Sequence, residues 1–302
     1  MKIGLALGGG VARGFFHVGV LRALEKMEIP VHIVSGTSIG AVIGGLYALK
    51  GDVRYVEENI FVILQKHQKE LAILKNTFSQ TNIAEKAAFL EKSFSILKEF
   101  YIWNLRIALP ALVDLKAFLK IFRHFFEDAT FADCKIPFIA TAVDLMKGES
   151  VCVNDGLLYQ AVLASSAYPG LFPPLQIGDK LLIDGGVLMP VPSKAIREKV
   201  DFVIGINLES TGYHFPQVRN AMDVMNLADR IRYRHIIEDS LMGIDFLLSP
   251  DLESFPWGDF DRAKELVEMG EKQMLEKGAL LRKAIKITKI KQFFRIKPFV
   301  KA

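Results

Sequence analysis

The sequence has little with which to staple, coordinate or anchor itself. Only two cysteines occur in 302 residues, Cys134 and Cys152. That is too few for a disulfide framework, and neither has a metal-ligand spacing, so both are read as small apolar fillers in a reducing compartment. No histidine, cysteine and carboxylate cluster with ligand spacing is present, so no metal, no calcium requirement and no cofactor is predicted. No uncharged apolar run reaches the roughly 20 residues that a spanning helix needs. The most apolar later stretch, 100–126, is broken by Arg106, Pro110, Asp114, Lys116, Lys120 and Arg123. The apolar opening Ile3-Gly-Leu-Ala-Leu7 runs into glycines and Arg13 without a cleavage pattern, which predicts a buried first strand rather than a leader. Low-complexity linkers and internal repeats are missing too. Finally, acid is absent from the C-terminal end. Residues 282–302 carry Arg282, Lys283, Lys286, Lys289, Lys291, Arg295, Lys297 and Lys301 and no carboxylate, so with +4 overall the rest of the chain is net acidic by four charges.

What is present is a hydrophobic content of 51%, ample for a core and far from the composition of disorder. Lys2 to Leu7 leads through a glycine loop into Gly14–Met27, where Phe15, Val18, Leu21, Ala23 and Leu24 recur at helical spacing. Val31–Ser35 is a β-branched run, followed by a glycine-flanked turn and by the apolar helical stretch Ala41–Leu49. This βαβα unit predicts a parallel, doubly wound sheet. From Asp52 to Asp128 only helical patterns appear, at Val53–Leu74, Ile83–Leu97 and Leu112–Phe126, hence a helical insertion of about 52–130. Strand character returns at Ile136–Val143, Lys180–Ile183, Phe202–Asn207 and Phe246–Ser249, with helices at Asn220–Met242 and Phe260–Glu276. The α/β body is thus expected over 1–280, with 281–302 as a basic tail.

Three constellations carry chemistry. Gly36-Thr37-Ser38-Ile39-Gly40 matches Gly-x-Ser-x-Gly, where a serine on a tight strand-to-helix corner needs tiny flanking residues. Gly8-Gly9-Gly10-Val11-Ala12-Arg13-Gly14 ends the first strand and can aim bare N–H groups at an oxyanion. A dinucleotide fingerprint would need glycine where Arg13 stands and an acid after the second strand, where Ser35-Gly36 stand instead. In a parallel sheet the two loops emerge side by side. A serine hydroxyl also needs a base. Asp184, ending an apolar strand and followed by Gly185-Gly186, is one candidate. A triad through His214 or His235 is another, although only two strands precede Ser38, fewer than an α/β-hydrolase order expects. His17 is expected to pack against the glycine loop. Ala164–Pro174 reads as a rigid apolar loop after a short helix.

The glycine loop with its arginine, the Gly-Thr-Ser-Ile-Gly turn, Ala164-Ser-Ser-Ala-Tyr-Pro169 and Asp184-Gly-Gly stand in the order and spacing of the patatin-like phospholipase family, which residues 1–210 resemble. The resemblance implies a three-layer α/β/α fold with a mostly parallel central sheet. It also implies a Ser38–Asp184 dyad, an oxyanion hole at Gly9, Gly10 and Val11, and cleavage of acyl esters of phospholipids or lysophospholipids. Val11 departs from the pattern, standing where family members often carry a glycine or small residue. A β-branched residue resists φ above zero, so its N–H is expected to be offered from an extended backbone. A lipid-binding or regulatory protein on the same fold, without turnover, is the other class of reading.

Residues 100–126 mix Phe100, Tyr101, Trp103, Phe118, Phe122, Phe125 and Phe126 with bases. This suits a lipid interface, an acyl channel or a buried helix equally. The tail interleaves its bases with Ile285, Ile287, Ile290, Phe293, Phe294 and Ile296, a pattern for anionic lipid, a partner or solvent. No nucleic-acid partner is expected, because the bases sit at one end without a binding module. The expected location is cytoplasmic, with peripheral contact at the inner face of a membrane through 100–126 and 282–302.

Overall fold

The computed structural model describes residues 1–80, 115–209 and 218–295. The strands are β1 (Ile3–Leu7), β2 (Ile33–Thr37), β3 (Phe138–Asp144), β4 (Glu149–Val153), β5 (Leu175–Ile177), β6 (Lys180–Asp184), β7 (Phe202–Ile206) and β8 (Phe246–Leu248). The helices are α1 (Phe15–Lys26), α2 (Ile39–Lys50), α3 (Val53–Lys66), α4 (Gln68–Gln80), α5 (Leu115–Phe126), α6 (Leu158–Ser165), α7 (Ala221–Ser240), α8 (Ala263–Glu276) and α9 (Gly278–Arg295).

The expected parallel sheet is the spine. Its order is β5-β6-β3-β2-β1-β7-β8, with β4 also on β3; β3, β2, β1, β7 and β8 run parallel, and β4, β5 and β6 add antiparallel pairs. β1, β2, β3 and β7 are buried along their whole length, as parallel strands covered on both faces must be. Leu5, Leu7, Val34, Phe138 and Ile204 join helices α1, α2 and α6 in the large core on one face. On the other, Ala6, Ile33, Ile139 and Val203 pack against Val191, Ala195 and Ile196, with Leu241 and Ile244 beyond the end of α7.

One detail of the pairing fixes the site. Thr141 pairs with Cys152 of β4 and with Thr37 of β2, whereas Ala142 pairs with Val151 of β4 and with Asp184 of β6. β2 and β6 therefore share one edge of β3 and meet there end to end from opposite directions. The residues at that junction are Thr37-Ser38 and Asp184.

Several local expectations change. The helical pattern Val53–Leu74 breaks at His67, whose φ of −115° and ψ of 36° separate α3 from α4. β4 and β5 were not expected; both are short strands without a fully buried residue, which gives them too little local pattern to stand out. The expected helix Ile83–Leu97, the start of Leu112–Phe126, and Phe100, Tyr101 and Trp103 lie outside the described residues. From residue 278 the chain forms α9, with Leu281 buried in the main core and Ala284 and Ile285 packed against it. Among the described residues, no helix is long and apolar enough to cross a membrane.

Candidate active site

Ser38 sits between β2 and α2 at φ 55°, ψ −124°, a region that only an over-determined corner can hold a non-glycine residue in. The corner is held by close packing. A Cβ on Gly40 would lie 2.1 Å from the Leu7 carbonyl oxygen, and one on Gly36 would lie 2.4 Å from the Gly40 carbonyl oxygen. The start of α2 is thus pressed onto the end of β1, and no larger residue fits either place.

The segment after α6 ties the junction together. The Ser38 N–H donates to Ser165 Oγ at 3.0 Å, and the Asp184 N–H donates to the Ala167 carbonyl at 3.0 Å. Two residues, Ser165 and Ala167, thereby hold the backbone on both sides of the junction. Ser165 is fully buried; it stands in the Ala164-Ser-Ser-Ala-Tyr-Pro169 motif, but no local pattern ties its hydroxyl to Ser38.

Asp184 is buried. Its Oδ1 accepts from the Gly186 N–H at 2.7 Å, while Oδ2 is buried without a hydrogen bond. Burial pushes the carboxyl up to about 6, opposed by the Gly186 N–H and by the Ser38 hydroxyl. Of the two opposing contacts, the Gly186 N–H is the stronger. A Cβ on Gly185 would lie 2.4 Å from the Thr141 carbonyl oxygen, which explains the glycine directly after the aspartate.

The glycine loop lies alongside, and a Cβ on Gly9 would be 3.5 Å from that of Ser38. The donor set differs from expectation in one member. The Gly9 N–H is taken by the Pro190 carbonyl at 3.0 Å, as the Gly8 and Ala12 N–H groups are by Ile206 and Trp257. Gly9 is thus removed as an oxyanion donor, because its hydrogen is spent on fixing the loop. Val11 does not take the extended backbone expected of it: its φ is 48°. Gly10, at φ 162°, is extended. Arg13 anchors the far side of the loop, donating from Nε to the Phe255 carbonyl at 2.8 Å with its guanidinium 4.7 Å from the Trp257 ring centroid.

Among the described residues, no histidine forms a triad with Ser38. His17 is fully buried, its Nε2 lies 2.8 Å from the Gly8 carbonyl oxygen, and burial holds its pKa near 4; a neutral ring supporting the loop is the result, as expected. His235 is 75% exposed on α7 and pairs with Glu238. His214 lies outside the described residues. A second buried acid was not anticipated. Glu209, just past β7, accepts from the Tyr233 hydroxyl at 2.9 Å. Burial pushes it up to about 7, Tyr233 and Arg13 pull it down, and the Asp184 charge raises it further.

Beside Ser38 an apolar cavity of about 130 Å³ runs between Val42, Ile63, Leu74, Phe118, Phe122 and Phe172. In α5, Phe118, Phe122, Phe125 and Phe126 are all buried, while Lys116, Lys120 and Arg123 are exposed. Of the three readings open for this stretch, the structure favours a wall of the cavity for 115–126.

Comparison with known proteins places this site in context. The family model for patatin-like phospholipase matches residues 5–196. An uncharacterized NTE family protein of Mycobacterium bovis is 28% identical over 211 residues, covering 70% of this chain and 50% of that protein. Patatin-like phospholipase domain-containing protein 7 of Mus musculus is 28% identical over 296 residues, covering 89% of this chain and 20% of its own. Lysophospholipase NTE1 of Cryptococcus neoformans is 25% identical over 297 residues, covering 90% and 17%. The chain spans half or less of these relatives' lengths. With a family model covering most of the α/β body, the chain belongs to the patatin-like phospholipase family.

Proposed function

We propose that the chain hydrolyses fatty acyl esters of phospholipids or lysophospholipids through a Ser38–Asp184 dyad. The observation that carries this reading is the meeting of β2 and β6 on one edge of β3. It sets a serine at φ 55° against a buried carboxylate with one unpartnered oxygen. With its pKa near 6, Asp184 is ionised at neutral pH and still a usable base.

Ser38 Oγ attacks the acyl carbonyl as its proton passes to Asp184. The carbonyl oxygen becomes an oxyanion received by the Gly10 and Val11 N–H groups, which have no loop or turn backbone acceptor among the described residues. Collapse breaks the ester bond, and Asp184 returns the proton to the departing alcohol. Water then attacks the acyl-serine, giving a proton to Asp184; the acyl–Oγ bond breaks as Asp184 passes that proton to Ser38 Oγ, and the fatty acid leaves with serine and carboxylate restored. The cavity beside Ser38 receives the acyl chain, which its apolar wall favours over a polar acyl group. The relative named as a lysophospholipase supports a single-chain substrate among the candidates. A panel of lysophospholipids, diacyl phospholipids, triacylglycerols and acyl thioesters, run with Ser38→Ala, tests the reading. Fatty acid release from a lysophospholipid or phospholipid, abolished in the variant, is expected. Turnover that survives Ser38→Ala, or none on any phospholipid, refutes it.

A further inference from the structure

Helix α9 has two apolar faces, and among the described residues only one is packed against the core. Leu281, Ala284 and Ile285 face the core. On the opposite side, Leu280, Ile287, Ile290 and Phe294 recur at helical spacing and all are exposed. Phe293 beside them is 70% exposed and Phe294 75%. Lys283 continues this outer stripe, Lys286 and Lys289 flank it on one side and Lys291 on the other, and every one of these lysines is exposed. No acid follows Glu276 in the sequence.

The helix is fixed across the end of the sheet farthest from Ser38. Arg282 donates to the Met27 carbonyl at 2.7 Å, at the close of α1. Gln292 hydrogen-bonds Asp201, just before β7, and Asp201 in turn receives the Lys2 N–H. These contacts lie where the parallel strands begin, whereas Ser38 lies where β2 ends. On the same edge, Lys2, Lys135, Lys199 and His32 surround an open cleft of about 460 Å³, extending the basic character beyond the helix.

We infer that this edge, with the outer stripe of α9 at its centre, is a docking surface for an anionic lipid bilayer. Exposed apolar side chains flanked by lysines are the pattern of a helix lying in the headgroup boundary, with bases meeting phosphates and apolar groups reaching below them. A second copy is a poorer occupant. An isologous contact would set Lys283, Lys286, Lys289 and Lys291 against the same lysines of its mate. Because the surface lies at the opposite end of the strands, docking tethers the chain without pressing the Ser38 cavity onto the same bilayer.

Co-sedimentation of the full chain with vesicles of phosphatidylcholine alone, or of phosphatidylcholine with phosphatidylserine, tests this without any need for turnover. Binding to the phosphatidylserine vesicles that weakens with salt is expected. The triple variant Lys286→Gln, Lys289→Gln, Lys291→Gln is expected to lose about five-fold in partitioning per lysine, about a hundred-fold in all. Ile287→Ser with Phe294→Ser is expected to lose about ten-fold or more. Both variants should hydrolyse a soluble short-chain ester as the parent does, and Ser38→Ala should bind vesicles unchanged, which separates this inference from the hydrolase reading. It is overturned by equal binding to both vesicle types, by variants that bind as the parent does, by a dimer in solution that the serine variants dissociate, or by retention on nucleic acid in preference to vesicles.

Discussion

Replacing Asp184 with asparagine should make the protein more stable at neutral pH while removing its activity. Asp184 is buried and its carboxyl is pushed from 3.8 to about 6, so the folded state holds the proton more tightly than the unfolded chain does. Stability from the protonated form is fully present below about pH 4 and is lost as pH rises through 6, amounting to about 3 kcal/mol by pH 8. Asparagine does not ionise and loses nothing. Its carbonyl can accept from the Gly186 N–H in place of Oδ1, and its amide can face the Ser38 hydroxyl, so little is left unpaired. The variant should therefore match the parent near pH 4 and exceed it by about 2–3 kcal/mol at pH 8. At roughly 2 °C per kcal/mol for a chain of this size, the gain is about 5 °C in Tm. Thermal unfolding of both proteins in steps from pH 4 to pH 8 measures the difference, from which groups common to both cancel. A difference that stays constant across that window refutes the argument. In parallel, the variant should lose about a hundred- to ten-thousand-fold in kcat, the range for a general base.

Three other consequences are open to measurement. Ser165→Ala leaves the Ser38 N–H without its acceptor; a loss of about 1–3 kcal/mol in unfolding free energy should accompany a fall in kcat at unchanged KM, and unchanged kcat would show that Ser165 does not position the serine. Gly40→Ala drives a Cβ to 2.1 Å from the Leu7 carbonyl oxygen, so soluble yield and esterase activity should both collapse; a variant as active and as stable as the parent would contradict the packing described for the corner. Glu209→Gln removes an acid that burial and the Asp184 charge push up to about 7, so it is still largely protonated where Asp184 titrates near 6, and the acid limb of kcat/KM should stay in place. A limb that moves to lower pH would show that Glu209 is already charged when Asp184 titrates.

The sheet was legible because its strands are short β-branched runs wedged between helical periods, a local signal at Val31–Ser35 or Phe202–Asn207. The corner at Ser38 and the turn after Asp184 were legible for a related reason: both need glycine, and glycine in such a context marks a backbone demand. The contacts that convert these turns into a site were not. Ser165 lies 127 residues from Ser38, and no local pattern reports a hydrogen bond across that distance. The Gly9 N–H looked free because its partner, the Pro190 carbonyl, belongs to a segment on another face of the sheet. Val11 was expected to avoid positive φ, and local sterics were overridden by a loop pinned at Gly8, Gly9 and Ala12. The C-terminal bases read as a tail because charge dominates their composition; the inner face Leu281, Ala284 and Ile285 is visible only once the core it covers is present.

The reaction with a fluorophosphonate, followed by peptide mass spectrometry, tests the dyad most directly. The account predicts a single adduct on Ser38, absent in Ser38→Ala and formed much more slowly in Asp184→Asn, with the labelling rate of the parent falling below about pH 6. An adduct on another serine, or undiminished labelling of Asp184→Asn, would contradict it.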